Sequence, residues 1–206
     1  YNYVFDPNAH LKRFFSEGGN KGYIFLVDEA HNLVERGREM YSEELYKEDF
    51  LEVKRCVKEY DKKIADQLDG INRLFLALKR ECETYRVLES VSHISLKLMR
   101  LLTEMERFLE EQEGGEKREK VLELYFRVRA FLNIHDIMDE NYVIYSELEA
   151  DGRFKVKLFC INPAVNLQGC LEQGNGTVFF SATLLPIRYY KNLLSVEEDD
   201  YAIYVE

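Results

Sequence analysis

Asp28 and Glu29 are adjacent carboxylates placed directly after the apolar run Tyr23-Ile24-Phe25-Leu26-Val27. A run this short, rich in β-branched and aromatic side chains, predicts a strand buried on both faces of a parallel sheet. The pair then stands at the strand's C-terminal end, where open α/β sheets bind their ligands. Carboxylates fixed there suit phosphoryl chemistry: Asp28 could hold Mg²⁺ through water, and Glu29 could polarise a water that attacks a γ-phosphate. The bland alternative is a carboxylate pair opening a solvated helix, favoured by the helix dipole. His31 follows at once, and an imidazole beside such a site can pass a change of hydrogen bonding to neighbouring elements, with Asn32 as a second member of that network.

A second hydroxyl-bearing constellation lies far downstream. Thr177-Val178-Phe179-Phe180 reads as another buried strand and runs into Ser181-Ala182-Thr183. Hydroxyl tripeptides at strand ends often cap the next helix. Ser181 and Thr183 acquire a different role if the two strands are neighbours, because their hydroxyls could then bond to Asp28, Glu29 or His31 and sense the γ-phosphate indirectly.

The elements that must position these residues follow from the change of hydrophobic period. A short helix is expected over residues 8–16, ended by Gly18 and Gly19. From residue 42 to residue 138 the period is helical, with Phe50, Val53, Val57, Tyr60, Ile64 and Leu68 in one stripe and Ile71, Leu74, Phe75, Leu78, Cys82 and Tyr85 in a second. Ile94, Leu98, Leu101, Met105 and Phe108 make a third stripe, and Val121, Leu124, Val128, Phe131 and Leu132 a fourth. Four amphipathic helices predict a small bundle or a pair of helical hairpins. Tyr142 to Leu148 and Phe154 to Cys160 then alternate around Asp151-Gly152, a hairpin-turn signal. A short helix near Asn166 to Leu171, a helix from Leu184 to Leu194 and a last strand from Tyr201 to Val205 complete the reading. The expected organisation is a first α/β part over residues 1–36, an all-α insertion over 37–140, and a hairpin with the second α/β part over 141–206.

The 206 residues are 46% hydrophobic, enough to bury a sizeable core, and carry a formal net charge of −10. A molecule of that sign repels polyanions at long range, so any nucleic-acid contact must be local. Arg153, Lys155 and Lys157 share one face of a strand and form one candidate stripe; Lys54, Arg55, Lys58 and Lys62 form another. Mixed charge of this kind is also ordinary on exposed faces. Cys56, Cys82, Cys160 and Cys170 show no metal-ligand spacing and are expected to be reduced core thiols. No apolar run is long enough to span a membrane, and the chain opens on Tyr1 in a run that reads as the interior of a longer protein. A soluble, cytoplasmic segment is the expectation.

The motifs together carry a resemblance. Asp28-Glu29-Ala30-His31 occurs by accident only on the order of once in a thousand chains of this length at average composition. With Ser181-Ala182-Thr183 it resembles the DEAH and SAT segments of superfamily 2 helicases. The long separation of the two resembles the Arch insertion of the XPD/DinG family of DNA helicases. Tyr1 to Pro7, Cys160 to Ala164, and Phe180-Ser181-Ala182-Thr183-Leu184-Leu185-Pro186 are similar to that family too, the last to its bacterial DinG type. The helical middle matches by position and helicity alone.

The resemblance implies a partial RecA-like P-loop ATPase domain, α/β in class, interrupted by an all-α Arch-like insertion and mostly helical overall. It implies ATP and Mg²⁺ as ligands, single-stranded and duplex DNA as partners, 5′ to 3′ movement, a place in DNA repair or replication, and no membrane. Glu29, Asp28 and His31 would be catalytic, with Mg²⁺ on Asp28 through water, and Ser181 and Thr183 would couple hydrolysis to movement. The sequence contains no Gly-x-x-x-x-Gly-Lys-Ser/Thr loop, so the chain alone is expected to be inactive. An iron-sulfur cluster, if the longer protein has one, would be held upstream of this chain and not by its four cysteines. Two other readings stand beside this one: a helical protein-interaction scaffold from a decayed ATPase, and an RNA helicase.

Overall fold

The computed structural model describes residues 1–7, 22–197 and 199–204. The helix expected over 8–16 lies outside them. The chain divides into two compact units, Tyr1–Tyr41 with Cys160–Glu206, and Ser42–Phe159 between them.

The first unit contains α1 (Asn2–Phe5), β1 (Ile24–Val27), a 3-10 turn (Ala30–Asn32), α2 (Leu33–Met40), α7 (Ala164–Leu171), β6 (Gly176–Phe179) and α8 (Ile187–Leu194). β1 and β6 pair in parallel, with Ile24 opposite Gly176 and Val27 opposite Phe179. The ladder runs on through Phe180 N–H to Val27 O (3.0 Å) and Ala30 N–H to Phe180 O (3.2 Å), which brings Ser181 alongside the Asp-Glu turn. Gly174 permits the close approach. A β-carbon there would lie 2.7 Å from the Phe25 ring and 3.1 Å from Tyr23 O.

The expectation that β1 is buried on both faces is corrected. Val27 is buried, but Ile24 and Leu26 are 67% and 70% exposed, and Val178 of β6 is 51% exposed on the same face. Their apolar character is what a doubly covered parallel strand requires, yet the described residues cover one face only. The helix expected from Leu184 begins instead at Ile187. Pro186 explains the delay, because a residue before proline is pushed out of the α region, so Leu185 cannot join the helix. Residues 201–204 form no strand. Among the described residues the apolar alternation there finds no ladder partner, and pairing is what makes a strand.

The second unit holds β2 (Glu43–Tyr46), α3 (Lys47–Val57), α4 (Lys62–Arg80), β3 (Tyr85–Leu88), α5 (Ser92–Glu111), α6 (Glu116–Ile137), β4 (Tyr142–Leu148) and β5 (Phe154–Cys160, whose last residue falls to the first unit). The unit has four helices, but not one to each stripe. The first stripe is divided between α3 and α4, with Tyr60 exposed between them; the second continues α4, and its Cys82 and Tyr85 fall beyond that helix. Phe50, Val57, Ile64, Leu68, Ile71, Phe75, Leu98, Leu101, Met105, Val121, Val128 and Phe131 make the core and are all essentially inaccessible. Asp61 starts α4 by accepting Lys63 N–H (2.9 Å) and Ile64 N–H (3.1 Å). The predicted hairpin also forms, closed by Glu149 N–H to Arg153 O (2.9 Å), with Gly152 at φ +85°.

The unit is not all-α, however. β2 and β3 join the hairpin in a four-stranded antiparallel sheet of order β2-β5-β4-β3. The hairpin therefore belongs to the second unit and not with the α/β part expected over residues 141–206. Strands of four residues embedded in helical periodicity leave almost no period-two signal, and only ladder partners distant in sequence reveal them. Phe154, Val156 and Leu158 are fully buried, and Phe154 meets Phe75 edge-on at 6.3 Å.

Candidate functional site

The sharp turn after β1 sets the site. Glu29 takes the left-handed conformation, φ 49° and ψ 41°, the only non-glycine among the described residues to do so. That conformation costs a side-chain-bearing residue about 1–2 kcal/mol, so local bonds must hold it. Asp28 Oδ1 accepts the Glu29 N–H at 2.7 Å, and Asn32 N–H returns to Glu29 O at 2.9 Å. The Tyr1 hydroxyl lies 2.6 Å from Asp28 O and 2.7 Å from Glu29 O, donating to the pair of carbonyls. Burial, then the charges of Asp28 and Glu29, push the Tyr1 phenol above its ordinary value, so it stays a donor at neutral pH.

The predicted site residues converge. His31 Nδ1 is 2.8 Å from Ser181 Oγ and 3.2 Å from Glu29 Oε2. Ser181 Oγ donates to Glu29 Oε2 at 3.3 Å and lies 3.3 Å from Thr183 Oγ1, while Thr183 N–H donates to Ser181 Oγ at 3.2 Å. With the proton on Nδ1 these bonds have one consistent direction: imidazole to serine, serine to glutamate. Neither hydroxyl caps α8, whose N-cap is Pro186 without a side-chain bond. Asn32 contributes its backbone rather than its side chain. Tyr1 was missed as a member of the site, and its 27-position separation from Asp28 offered no signal.

Asp28 and Glu29 are both exposed at the end of β1. Among the described residues no group of three or more His, Cys, Asp or Glu gathers as a metal cage. That donor set fits Mg²⁺, which keeps several waters and takes one or two carboxylates, the rest coming from substrate phosphates.

The stripe of Arg153, Lys155 and Lys157 is neutralised within its own sheet. Lys155, 9% exposed, reaches Glu149 (2.8 Å), Glu147 (3.3 Å) and Glu44 (3.5 Å); Lys157 reaches Glu44 (3.2 Å), and Arg153 reaches Asp151 (2.8 Å) and Glu149 (3.1 Å). Burial pulls the Lys155 ammonium down, but Glu149, Glu44 and Glu147 together hold it above its ordinary value. Burial and the Glu149 and Glu44 carboxylates push Tyr46 in the same cluster up to about 12. Four carboxylates against three cations leave no surplus positive charge for a polyanion. In the other stripe Lys54 pairs with Asp69, while Arg55, Lys58 and Lys62 are exposed.

Cys82 and Cys160 are buried, whereas Cys56 and Cys170 are partly exposed, so only half of the thiols lie in the core as expected. No helix among the described residues is long and apolar enough to cross a membrane.

No family model matches the chain, and no curated protein matches it. Among solved structures it is similar to that of S. tokodaii Xpd4, with a TM-score of 0.51 and 15% identity, over 87% of this chain and 38% of that one. The chain thus spans well under half the length of the protein it matches. At that identity the likeness is one of fold: the chain has a mixed α/β fold similar to part of that structure.

Proposed function

We propose that this chain is part of an ATP-dependent DNA helicase of the XPD/DinG type, carrying the residues that hydrolyse ATP and those that transmit hydrolysis to movement on DNA. The network of Glu29, His31, Ser181 and Thr183 carries the reading, because it joins two motifs about 150 positions apart through their side chains. Asp28, exposed at the strand end, would hold a hydrated cation. Bound Mg²⁺ would neutralise charge on the β- and γ-phosphates. Glu29 orients the attacking water and takes its proton. Ser181 and Thr183 follow the position of Glu29 and His31 and so report the state of the site to the β6 strand.

The second unit corresponds in this reading to the Arch-like insertion, and DNA contact falls to surfaces other than the neutralised sheet face. The setting is cytoplasmic, in repair or replication. Glu29→Gln, made in a longer protein that also carries a phosphate loop, tests the assignment. Nucleotide binding should persist while turnover falls on the order of a hundredfold or more. An unchanged single-turnover rate would remove Glu29 from the chemistry.

A further inference from the structure

We infer that Tyr1 is a positioning residue, whose hydroxyl holds the left-handed turn at Glu29 and thereby sets the Glu29 carboxylate against Ser181 and His31. Three observations converge. Glu29 occupies a backbone region that favours glycine, at φ 49°. The carbonyls on either side of the strained residue's nitrogen and α-carbon, Asp28 O and Glu29 O, both lie within 2.7 Å of one phenolic oxygen. The strained residue is also the one whose side chain meets Ser181 and His31. Relaxation of Glu29 to a right-handed or extended conformation would swing its carboxylate away from both and would break the Ala30 N–H bond to Phe180 O that continues the β1-β6 ladder.

A donor shared by two carbonyls suits this task better than packing would. The hydroxyl bonds well only while both carbonyls point its way, so it favours one turn geometry over the alternatives. Tyr1 lines one cavity with Phe5, Phe25 and Val27 beside Asp28, so its hydroxyl reaches the turn from the start of α1.

The importance of the clamp for turnover rests on the ATPase reading of Glu29, but its test does not require nucleotide. In this chain, Tyr1→Phe removes the oxygen and keeps the ring. Amide exchange at Ala30 and Asn32 should speed up about three- to tenfold, the worth of one net hydrogen bond in a local opening, and the His31 Nδ1 nitrogen resonance should move as its contact with Ser181 loosens. Glu29→Gly supplies the control, because glycine adopts the turn without help. In that background Tyr1→Phe should change Ala30 exchange little, a non-additivity that a packing role would not produce. Equal acceleration in both backgrounds, or unchanged Ala30 exchange and His31 resonance in the single variant, would overturn the proposal. If Tyr1→Phe unfolds the first unit, restoration of folding by Glu29→Gly supports the clamp and failure to restore it refutes it. Should Glu29 prove not to act in hydrolysis, these exchange results would stand unchanged, so the two ideas fail separately.

Discussion

His31 Nδ1 and Ser181 Oγ lie 2.8 Å apart although 150 positions separate them in the chain. The bond exists because β1 and β6 are parallel neighbours that end at the same level, so each delivers its following residues to one place. Glu29 Oε2 completes the cluster, within 3.3 Å of Ser181 and 3.2 Å of His31.

Coupling should be separable from hydrolysis. Each hydroxyl bond has a net worth of roughly 0.5–1.5 kcal/mol, too little to hold the unit together but enough to bias a nearly balanced motor severalfold. Ser181→Ala with Thr183→Ala, in a longer protein with both motor domains, should leave DNA-stimulated ATP hydrolysis largely intact while strand separation falls sharply. A parallel fall in ATPase rate, unwinding rate and melting temperature would show that the hydroxyls only stabilise the fold.

Nucleotide should not bind this chain tightly by itself. The sequence has no phosphate loop, and Asp28 with Glu29 presents negative charge to a polyphosphate. Calorimetry with ATP and Mg²⁺ should detect no specific binding at micromolar nucleotide; saturable sub-micromolar binding would contradict the site as described.

Gly37→Ala sets two effects against each other in α2. Alanine improves helix propensity by up to about 1 kcal/mol. The added methyl, however, would sit 2.9 Å from Pro163 Cβ and 3.0 Å from its Cγ. A proline ring cannot rotate away, and such overpacking costs roughly 1–3 kcal/mol, so the first unit should be destabilised. Chemical denaturation of the variant measures the sign, and a gain in stability would mean that the helix shifts freely.

Acid should weaken the second unit through specific carboxylates. Glu48 sits low despite burial, because it accepts Phe154 N–H and pairs with Lys47. Burial raises Asp61, but Arg107 and the Ile64 and Lys63 amides outweigh it and hold it below the ordinary range. Glu44 is likewise lowered, against its burial, by Lys157 and Lys155. A carboxylate lowered in the folded state contributes stability that is present above its unfolded value, roughly 4, and is lost as pH falls through its folded value. Melting of the unit should therefore be insensitive to pH near neutrality and fall steeply below about pH 4. Glu48→Gln should flatten that fall, and an unaltered acid profile would remove Glu48 from the account.

Much of the molecule was legible in local pattern. The stripe of Ile94 to Phe108 named the buried face of α5, since period 3.6 is imposed by one-sided burial, whereas that of Phe50 to Leu68 ran unbroken across the end of α3 and the start of α4. Asp151-Gly152 located the hairpin turn, because Gly152 must adopt φ +85°. The two apolar runs placed Glu29 and Ser181 each at a strand end, and the helicase resemblance was what suggested that the two ends meet, as they do. What local pattern could not supply was pairing between distant segments. β2 and β3 became strands only by meeting β5 and β4, and the cations of Arg153, Lys155 and Lys157 lost their surplus charge only when Glu44, Glu147, Glu149 and Asp151 were laid beside them. Tyr1 entered the site for the same reason. A hydrogen bond or an ion pair depends on the positions of both partners, and the sequence states the chemistry of each partner while only the folded chain states which two are within 3 Å.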